Sequence, residues 1–122
     1  MPDLHMNGPY LLDTPTIDRI ITLKSPGNYA LGRLDGSSFP VRYVGRSDTD
    51  LNERLKDHVG SPTSTHFMCS YASSPLAAFE KECHNYHDFN PPENKVHPAR
   101  PAGTNWQCPR CGVFARGASM AY

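Results

Sequence analysis

The sequence predicts a small α/β protein of the α+β type, in which a three-stranded antiparallel sheet is flanked by helices. Three observations predict it. Apolar stretches of strand length occur at 29–34, 40–44 and 66–71, and a turn separates the first two. Two helices are predicted to start at Asp50 and Ser74, which are residue types that cap helix N-termini. A length of 122 residues with 38% hydrophobic residues suits one domain with a modest core.

Residues 1–24 are predicted to be an N-terminal extension. Met1–Pro15 indicates a poorly ordered arm or a packed extension, because it contains several prolines and no continuous apolar stretch. Thr16–Lys24 is apolar enough for a short helix or a strand. The break at 25–27 opens the core, which is assigned to residues 25–95.

The first two strands are predicted to form a hairpin around the turn at 35–38. Pro40 suits the start of the returning strand, where a missing N–H is least harmful. Alternation then places Val41 and Tyr43 on one face of the sheet. His66–Tyr71 is predicted to be the third strand.

The first core helix is predicted to begin at Asp50, with Glu53 three residues on completing a capping box. Its buried stripe is predicted at positions spaced by four: Leu51, Leu55 and Val59. Arg54 and His58 are also four apart, so they share a different face.

The second core helix is predicted to begin with a capping hydroxyl at Ser74 and a proline at the first helical position. It should run to about His87 and end before Pro91. Its core-facing positions are predicted to be Leu76, Phe79, Cys83 and Tyr86. Residues 96–122 are predicted to be an irregular segment packed on the core.

Charge and hydropathy exclude some functions. Lys+Arg and Asp+Glu number twelve each, which argues against a generally adhesive nucleic-acid binder. The last part of the chain is basic, with four positive and no acidic residues: Lys95, Arg100, Arg110 and Arg116. A nucleic-acid surface should therefore include this segment. No stretch is apolar enough for a membrane span or shows a signal-peptide pattern, so a cytoplasmic location is expected.

Two tyrosine triplets flank the predicted hairpin turn, namely Gly27-Asn28-Tyr29 and Tyr43-Val44-Gly45. With Arg54 and His58 behind them, two phenols, a guanidinium and an imidazole lie on one small scaffold. Phosphodiester cleavage needs groups of these kinds, for charge stabilisation and for proton transfer.

In this order the residues resemble the GIY-YIG nuclease superfamily, over roughly residues 26–95. The resemblance implies a small antiparallel sheet flanked by helices, and DNA cleavage with one divalent metal to leave 5′-phosphate and 3′-hydroxyl ends. It implies Tyr29 as a candidate base, Tyr43 as a phosphate or water positioner, and Arg54 and His58 as further site residues. The resemblance implies DNA as the substrate. The pattern does not distinguish ordinary duplex DNA from branched or damaged DNA.

The resemblance also implies a metal-binding glutamate on the second helix. Glu80 and Glu82 are about 200° apart around the axis and cannot face one site. The family's spacing to a preceding alanine and a following asparagine selects Glu82 and Asn94. Glu82 would hold Mg²⁺ or Mn²⁺, which prefer oxygen ligands. Arg54 would neutralise the non-bridging phosphate oxygens.

Alternatives stay open at this stage. Either a tyrosine or His58 could take the proton from water; an unperturbed phenol titrates near pH ~10, so a tyrosine base would need a lowered pKa. The same fold could also bind nucleic acid or protein without catalysis. A third interpretation is a zinc-ribbon-like interaction protein whose tyrosines only pack.

A cysteine–histidine cluster predicts a separate structural zinc site. Cys108 and Cys111 form a knuckle, while Cys83 and His87 share one helix face. If His87 points away, the substitute ligands are His84 and His97. A redox cysteine pair and unbound thiols are the alternatives, and Cys69 is expected to be a core thiol. Trp106 either stacks on a base or, as favoured here, packs on the knuckle.

Overall fold

The structure of the protein, a computed structural model, describes residues 3–114. In this range the chain forms four strands and three helices: β1 Asn7–Leu11, α1 Thr14–Ile20, β2 Gly27–Gly32, β3 Val41–Ser47, α2 Leu51–Lys56, β4 His66–Tyr71 and α3 Pro75–Phe89. The strands form one antiparallel sheet in the order β1-β4-β2-β3. The predicted α+β class and antiparallel sheet are confirmed, but the sheet has four strands rather than three.

The additional strand comes from the N-terminal extension, which is a packed part of the fold rather than an arm. In β1, Tyr10 lies opposite Phe67 of β4, with ring centroids 5.6 Å apart. Leu4 packs on the other face of the sheet, against Ala30 and Val44. The sequence does not predict this strand. Because β1 lies at the edge of the sheet and most of its residues are exposed, it has no apolar alternation.

The apolar stretch at 16–24 resolves as a helix, although with earlier bounds. Asp13 is the N-cap, and its side chain accepts a hydrogen bond from the Thr16 N–H at 2.9 Å. Pro15 occupies the first turn, where its missing N–H does no harm. Ile17 is fully buried from this helix.

Two layers of helices cover the sheet. One face packs on α1 and α2 around a core that includes Tyr29, Leu31 and Phe67. Cys69 belongs to this core, as expected, and burial raises the pKa of its thiol to about 11. The other face carries Ala30 and α3. The edge strand β3 therefore borders both layers, and the candidate site lies at this edge.

Helix α2 begins at its predicted cap but ends early. The Asp50 side chain accepts from the Glu53 N–H, but the Asp50 N–H donates to the Ser47 hydroxyl instead of to Glu53, so only half of the predicted capping box forms. After Lys56 the chain tightens into i→i+3 hydrogen bonds, and Gly60 follows at φ +87°. This rotates Val59 out of the predicted buried stripe, so Val59 is 37% exposed.

Helix α3 begins at Ser74, whose hydroxyl accepts from the Ala77 N–H at 3.0 Å. Its buried face is turned relative to the predicted one. Phe79 and Cys83 are buried as predicted, but Leu76 is 38% exposed and Glu82 is buried. The face is turned because two buried polar groups have partners there. The Asn28 amide donates to the Ala78 carbonyl at 2.8 Å, and Glu82 pairs with Arg46.

The segment from 96 to 114 has no helix or strand, as predicted. It packs on α3 through Trp106, whose ring centroid lies 5.6 Å from that of Phe79, and through Phe114. Arg116 and the rest of residues 115–122 lie outside the described residues. Within residues 3–114, no helix combines the length and the hydrophobicity that crossing a membrane would require.

Candidate active site at the edge of the sheet

A pocket of about 220 Å³ opens at the edge strand β3. Its lining residues are Tyr29, Tyr43, Gly45, Arg46, Asp48, Arg54, Glu82 and Ala99. Four of the side chains predicted from the sequence are among them, contributed by β2, β3, α2 and α3: Tyr29, Tyr43, Arg54 and Glu82. His58 and Asn94, the other two, do not line the pocket.

Tyr29 reaches this pocket across a glycine. Tyr29 lies directly opposite Gly45 in the β2–β3 pairing and is only 2% exposed. A Cβ atom on Gly45 would be 2.4 Å from the Tyr29 hydroxyl oxygen, far inside van der Waals contact. The glycine of the second tyrosine triplet therefore makes room for the phenol of the first.

His58 lies behind Tyr29 rather than in the pocket itself. The Tyr29 hydroxyl and His58 Nε2 are 2.8 Å apart. The His58 ring also lies close to Tyr43, with centroids 5.7 Å apart. His58 comes from the turn that follows α2, so the early end of that helix is what places the imidazole here. A hydrogen bond thus joins His58 to the pocket through Tyr29.

The surroundings set the protonation states of this pair. Burial raises the pKa of Tyr29 above its ordinary value, and the nearby Tyr43 adds to this, while Arg54 opposes it. Burial lowers the pKa of His58, against an opposing effect of Asp57, and Arg54 lowers it further. At neutral pH the phenol is therefore protonated and the imidazole is neutral, so the Tyr29 hydroxyl donates to His58 Nε2.

Arg54 presents its charge to the pocket. The residue is exposed and takes part in none of the five salt bridges that the described residues form. Asp50 and Asp57, the acidic neighbours that could have neutralised it, do not pair with it. A guanidinium left in this way is available to a phosphate.

Sequence reasoning missed Arg46, the residue after the second tyrosine triplet. Its Nη1 donates to Glu82 Oε1 at 2.6 Å and its Nε donates to Asp48 Oδ1 at 2.8 Å. The third bond runs from Nη2 to the Ala99 carbonyl, at 2.8 Å. Asp48 is two residues away, but Glu82 and Ala99 are 36 and 53 residues away, so no local spacing indicates that Arg46 joins them. The available signal was a charged residue directly after the second tyrosine triplet.

Glu82 is buried rather than solvent-facing, with a side chain 9% exposed. Burial raises the pKa of its carboxyl group, and the hydrogen bond from Arg46 opposes this. Asp48 is a second carboxylate on the pocket wall that the sequence analysis did not single out. Two carboxylates in one pocket are suitable oxygen ligands for a divalent cation.

Asn94 has a different place from the one implied by the resemblance. Its Oδ1 accepts from the Val44 N–H at 2.8 Å, and its Nδ2 donates to the Val44 carbonyl at 3.0 Å. The amide therefore pairs with the outer edge of β3 as a further strand would. This contact holds the strand that carries the site and covers an otherwise open sheet edge.

A larger cavity of about 460 Å³ lies on the other side of Arg54. Its wall includes three carboxylates, from Asp50, Glu53 and Asp57, together with Lys24. Negative charge on this wall repels a phosphate backbone. The tyrosine pocket is therefore the better place for a scissile phosphate, and Arg54 is the boundary between the two cavities.

The cysteine–histidine residues also converge, but with one exchange. The ligand atoms of His87, His97, Cys108 and Cys111 all lie within 4.8 Å of one another. His97, which was predicted only as a substitute for His87, takes the place predicted for Cys83. Cys83 is fully buried beside Phe79 and is not one of the four residues whose ligand atoms converge. The His₂Cys₂ group could bind a metal such as zinc.

Comparisons of this chain with protein-family models, with curated proteins and with solved structures find no match. The resemblance to the GIY-YIG nucleases therefore depends on the residues of this chain alone. Those residues are the two tyrosines, Arg54 and Glu82, which meet at one edge of the sheet.

Proposed function

We propose that the protein is a metal-dependent endonuclease that hydrolyses DNA phosphodiester bonds by a one-metal mechanism of the GIY-YIG type. One observation supports this above the others: Tyr29, Tyr43, Arg54 and Glu82 come from four separate elements and line one pocket. Packing alone does not require a buried carboxylate, a free guanidinium and two phenols to converge.

The donor set of the pocket fits Mg²⁺ or Mn²⁺. Glu82 and Asp48 offer carboxylate oxygens, and both now share Arg46 as their partner. When bound by Glu82, such a cation supplies positive charge to the phosphorane-like transition state. The second proposed metal is zinc, at the His₂Cys₂ group. The proposed location is the cytoplasm, where thiols remain reduced and able to bind metal.

Each side chain then has a defined task. Arg54 binds the non-bridging oxygens of the scissile phosphate, and Tyr43 orients the phosphate or the water. The attacking water gives its proton to the Tyr29 oxygen, while the Tyr29 proton passes to His58 Nε2. The water oxygen bonds to phosphorus, the bond from phosphorus to O3′ breaks, and O3′ takes a proton from solvent. The products carry 5′-phosphate and 3′-hydroxyl ends.

Replacing Arg54 by alanine is expected to remove the nicking of supercoiled plasmid seen with Mg²⁺ or Mn²⁺, because the phosphate loses its charge partner. A loss of about a hundredfold or more is typical for a group of this kind. Arg33→Ala is the matched control, since Arg33 is exposed and outside the pocket. EDTA should abolish all nicking. Equal nicking by the two variants would refute the role of Arg54.

The cleavage rate is expected to fall as the pH drops below 6.5, the ordinary pKa of histidine. His58 accepts a proton only when neutral, and its lowered pKa keeps it neutral at pH 7. The rate should therefore be level on the neutral side and decline on the acid side. In His58→Gln the acid limb should differ from that of the wild type, because the remaining titration on the acid side is that of Glu82, whose pKa is raised by burial, whereas His84→Gln, at an exposed position, should keep the wild-type profile. An acid limb in His58→Gln that coincides with that of the wild type would exclude the relay.

One observation favours a second candidate, a nucleic-acid-binding module that does not cleave. Arg46 already neutralises Glu82 and Asp48 through short hydrogen bonds. If this guanidinium keeps both carboxylates from a cation, Arg54 still binds phosphate but no hydrolysis follows. Salt-sensitive binding of DNA without metal-dependent nicking would select this function over the first.

A further inference from the structure

Two ligand pairs of the His₂Cys₂ group have the separation expected in a tetrahedral zinc site, and all four ligand atoms lie within 4.8 Å of one another. Zinc lies about 2.3 Å from thiolate sulfur and about 2.0–2.1 Å from imidazole nitrogen, which places sulfur and nitrogen ligands about 3.6 Å apart. Cys108 Sγ is 3.4 Å from His87 Nε2, and Cys111 Sγ is 3.5 Å from His97 Nε2. Both pairs therefore lie at the separation of two zinc ligands.

The ligand atoms are also oriented by neighbouring groups. His97 Nδ1 lies 2.8 Å from the Pro98 carbonyl, and a proton on Nδ1 leaves Nε2 free to bind a metal. The Arg110 backbone N–H donates to Cys108 Sγ, with 3.4 Å between nitrogen and sulfur. Backbone groups that fix an imidazole tautomer and support a thiolate are typical of metal sites. These contacts are an independent observation beside the distances.

The knuckle is attached to α3 beside its helical ligand. Arg110 forms a salt bridge with Asp88, the residue after His87. The rings of His87 and His97 both pack on Tyr86, with centroids 5.2 Å away in each case. The four ligands are thus held together by contacts that do not themselves involve the ligand atoms.

This cluster connects to the pocket over a short length of chain. His97 lies two residues before Ala99, whose carbonyl accepts from Arg46 Nη2 at 2.8 Å. The same guanidinium holds Glu82 and Asp48. Arg100, the next residue, donates to the Trp106 carbonyl at 2.8 Å and so closes the loop that directly follows Ala99. Because one residue separates His97 from Ala99, a contact that fixes His97 also restricts the position of the Ala99 carbonyl.

We propose that His87, His97, Cys108 and Cys111 bind one zinc ion, and that this ion holds the Ala99 carbonyl against Arg46. Four protein ligands leave no open coordination position, so the ion is structural. Arg46 is then a positioning residue for Glu82. The link from the zinc ion through Arg46 to Glu82 rests on the proposed function, since the position of Glu82 matters for catalysis only if the protein is a nuclease. The zinc site stands without it.

Zinc content of the purified full chain tests the ligand set. We expect one zinc per chain, and cobalt substitution should give the visible absorption of a tetrahedral site with thiolate ligands. His97→Ala and Cys111→Ser should lose the ion, whereas the controls His84→Ala and Cys83→Ala should keep it. No stoichiometric zinc in reduced wild-type protein would overturn the site. Loss in Cys83→Ala with retention in His97→Ala would overturn this ligand set.

The link to the pocket is tested without measuring cleavage, so that its failure is distinct from the failure of the nuclease proposal. The NMR signal of the Arg46 Nε–H group is followed as a chelator removes zinc. The backbone amide of Leu31, in the buried β2, serves as the reference. The Arg46 signal should change while the Leu31 signal does not. A change in both together, or in neither, would overturn the coupling.

The fluorescence of Trp106, the single tryptophan, gives a second measure of the same event. Trp106 packs on Phe79 and its carbonyl is held by Arg100. On zinc removal its emission should shift to the red as the ring enters water, with the same dependence on chelator as the Arg46 signal. Emission that stays unchanged after zinc is lost would show that the ion does not hold this segment.

Discussion

Replacing Glu82 by glutamine is expected to reduce metal-dependent cleavage by about a hundredfold or more, while the fold is kept. Glutamine has the same shape, and its amide oxygen can still accept the hydrogen bond that Arg46 Nη1 now gives to Glu82. The negative charge that attracts a divalent cation is lost, however. Arg46 retains Asp48 as a charged partner, so the unfolding free energy should change little.

Glu80→Gln provides the matched control, because Glu80 lies on the same helix but is exposed on another side. The measurement is the nicking rate against Mg²⁺ or Mn²⁺ concentration for both variants. Glu82→Gln should need much more metal for half-maximal rate, and Glu80→Gln should match the wild type. If both variants lose activity equally, or if neither does, Glu82 is not the metal ligand.

Local rules predicted much of the fold. The caps at Asp50 and Ser74 are correct because capping depends on a few neighbouring residues. The strand His66–Tyr71 has its predicted bounds. Tyr29, Tyr43, Arg54 and Glu82 line one pocket, and each was selected from the sequence through the resemblance to the nuclease family. The resemblance to the nuclease family remains a prediction supported by this convergence.

The failures share a physical cause, which is contact between residues that are distant in sequence. β1 pairs with a strand more than fifty residues away, and its exposed edge gives no apolar pattern. Arg46 and Glu82 are 36 residues apart, and neither is marked by its neighbours. Helical spacing placed Cys83 and His87 on one face, but it could not say that Cys83 would enter the core while His97 reached the knuckle.

The buried face of α3 was also mispredicted because of contacts between residues that are distant in sequence. Hydrophobic periodicity assigns polar side chains to solvent, whereas Asn28 and Glu82 are buried here because each has a specific partner. A buried, paired polar group has a large desolvation penalty to offset, and such groups concentrate at functional sites. Glu82, one of these two residues, lines the candidate active site.

The second large effect is expected from Gly45→Ala. The new Cβ would lie 2.4 Å from the Tyr29 hydroxyl oxygen and 2.5 Å from the ring carbon that bears it. The phenol has little freedom to move, because it is buried and bonded to His58. Overpacking of this kind typically costs about 1–3 kcal/mol. We expect a loss of about 3 kcal/mol of unfolding free energy, measured by urea titration, and loss of nicking as Tyr29 is displaced.

A double-mutant cycle with Tyr29→Leu separates the clash from other effects, because leucine has no atoms at the position of the phenol oxygen. In that background alanine at position 45 should cost less than about 1 kcal/mol, or should stabilise, since glycine is itself unfavourable inside a strand. An equal loss in both backgrounds would place the cost in the β3 backbone. The glycine would then have no bearing on how Tyr29 reaches the pocket, and the geometric basis for assigning Tyr29 a part in proton transfer would be lost.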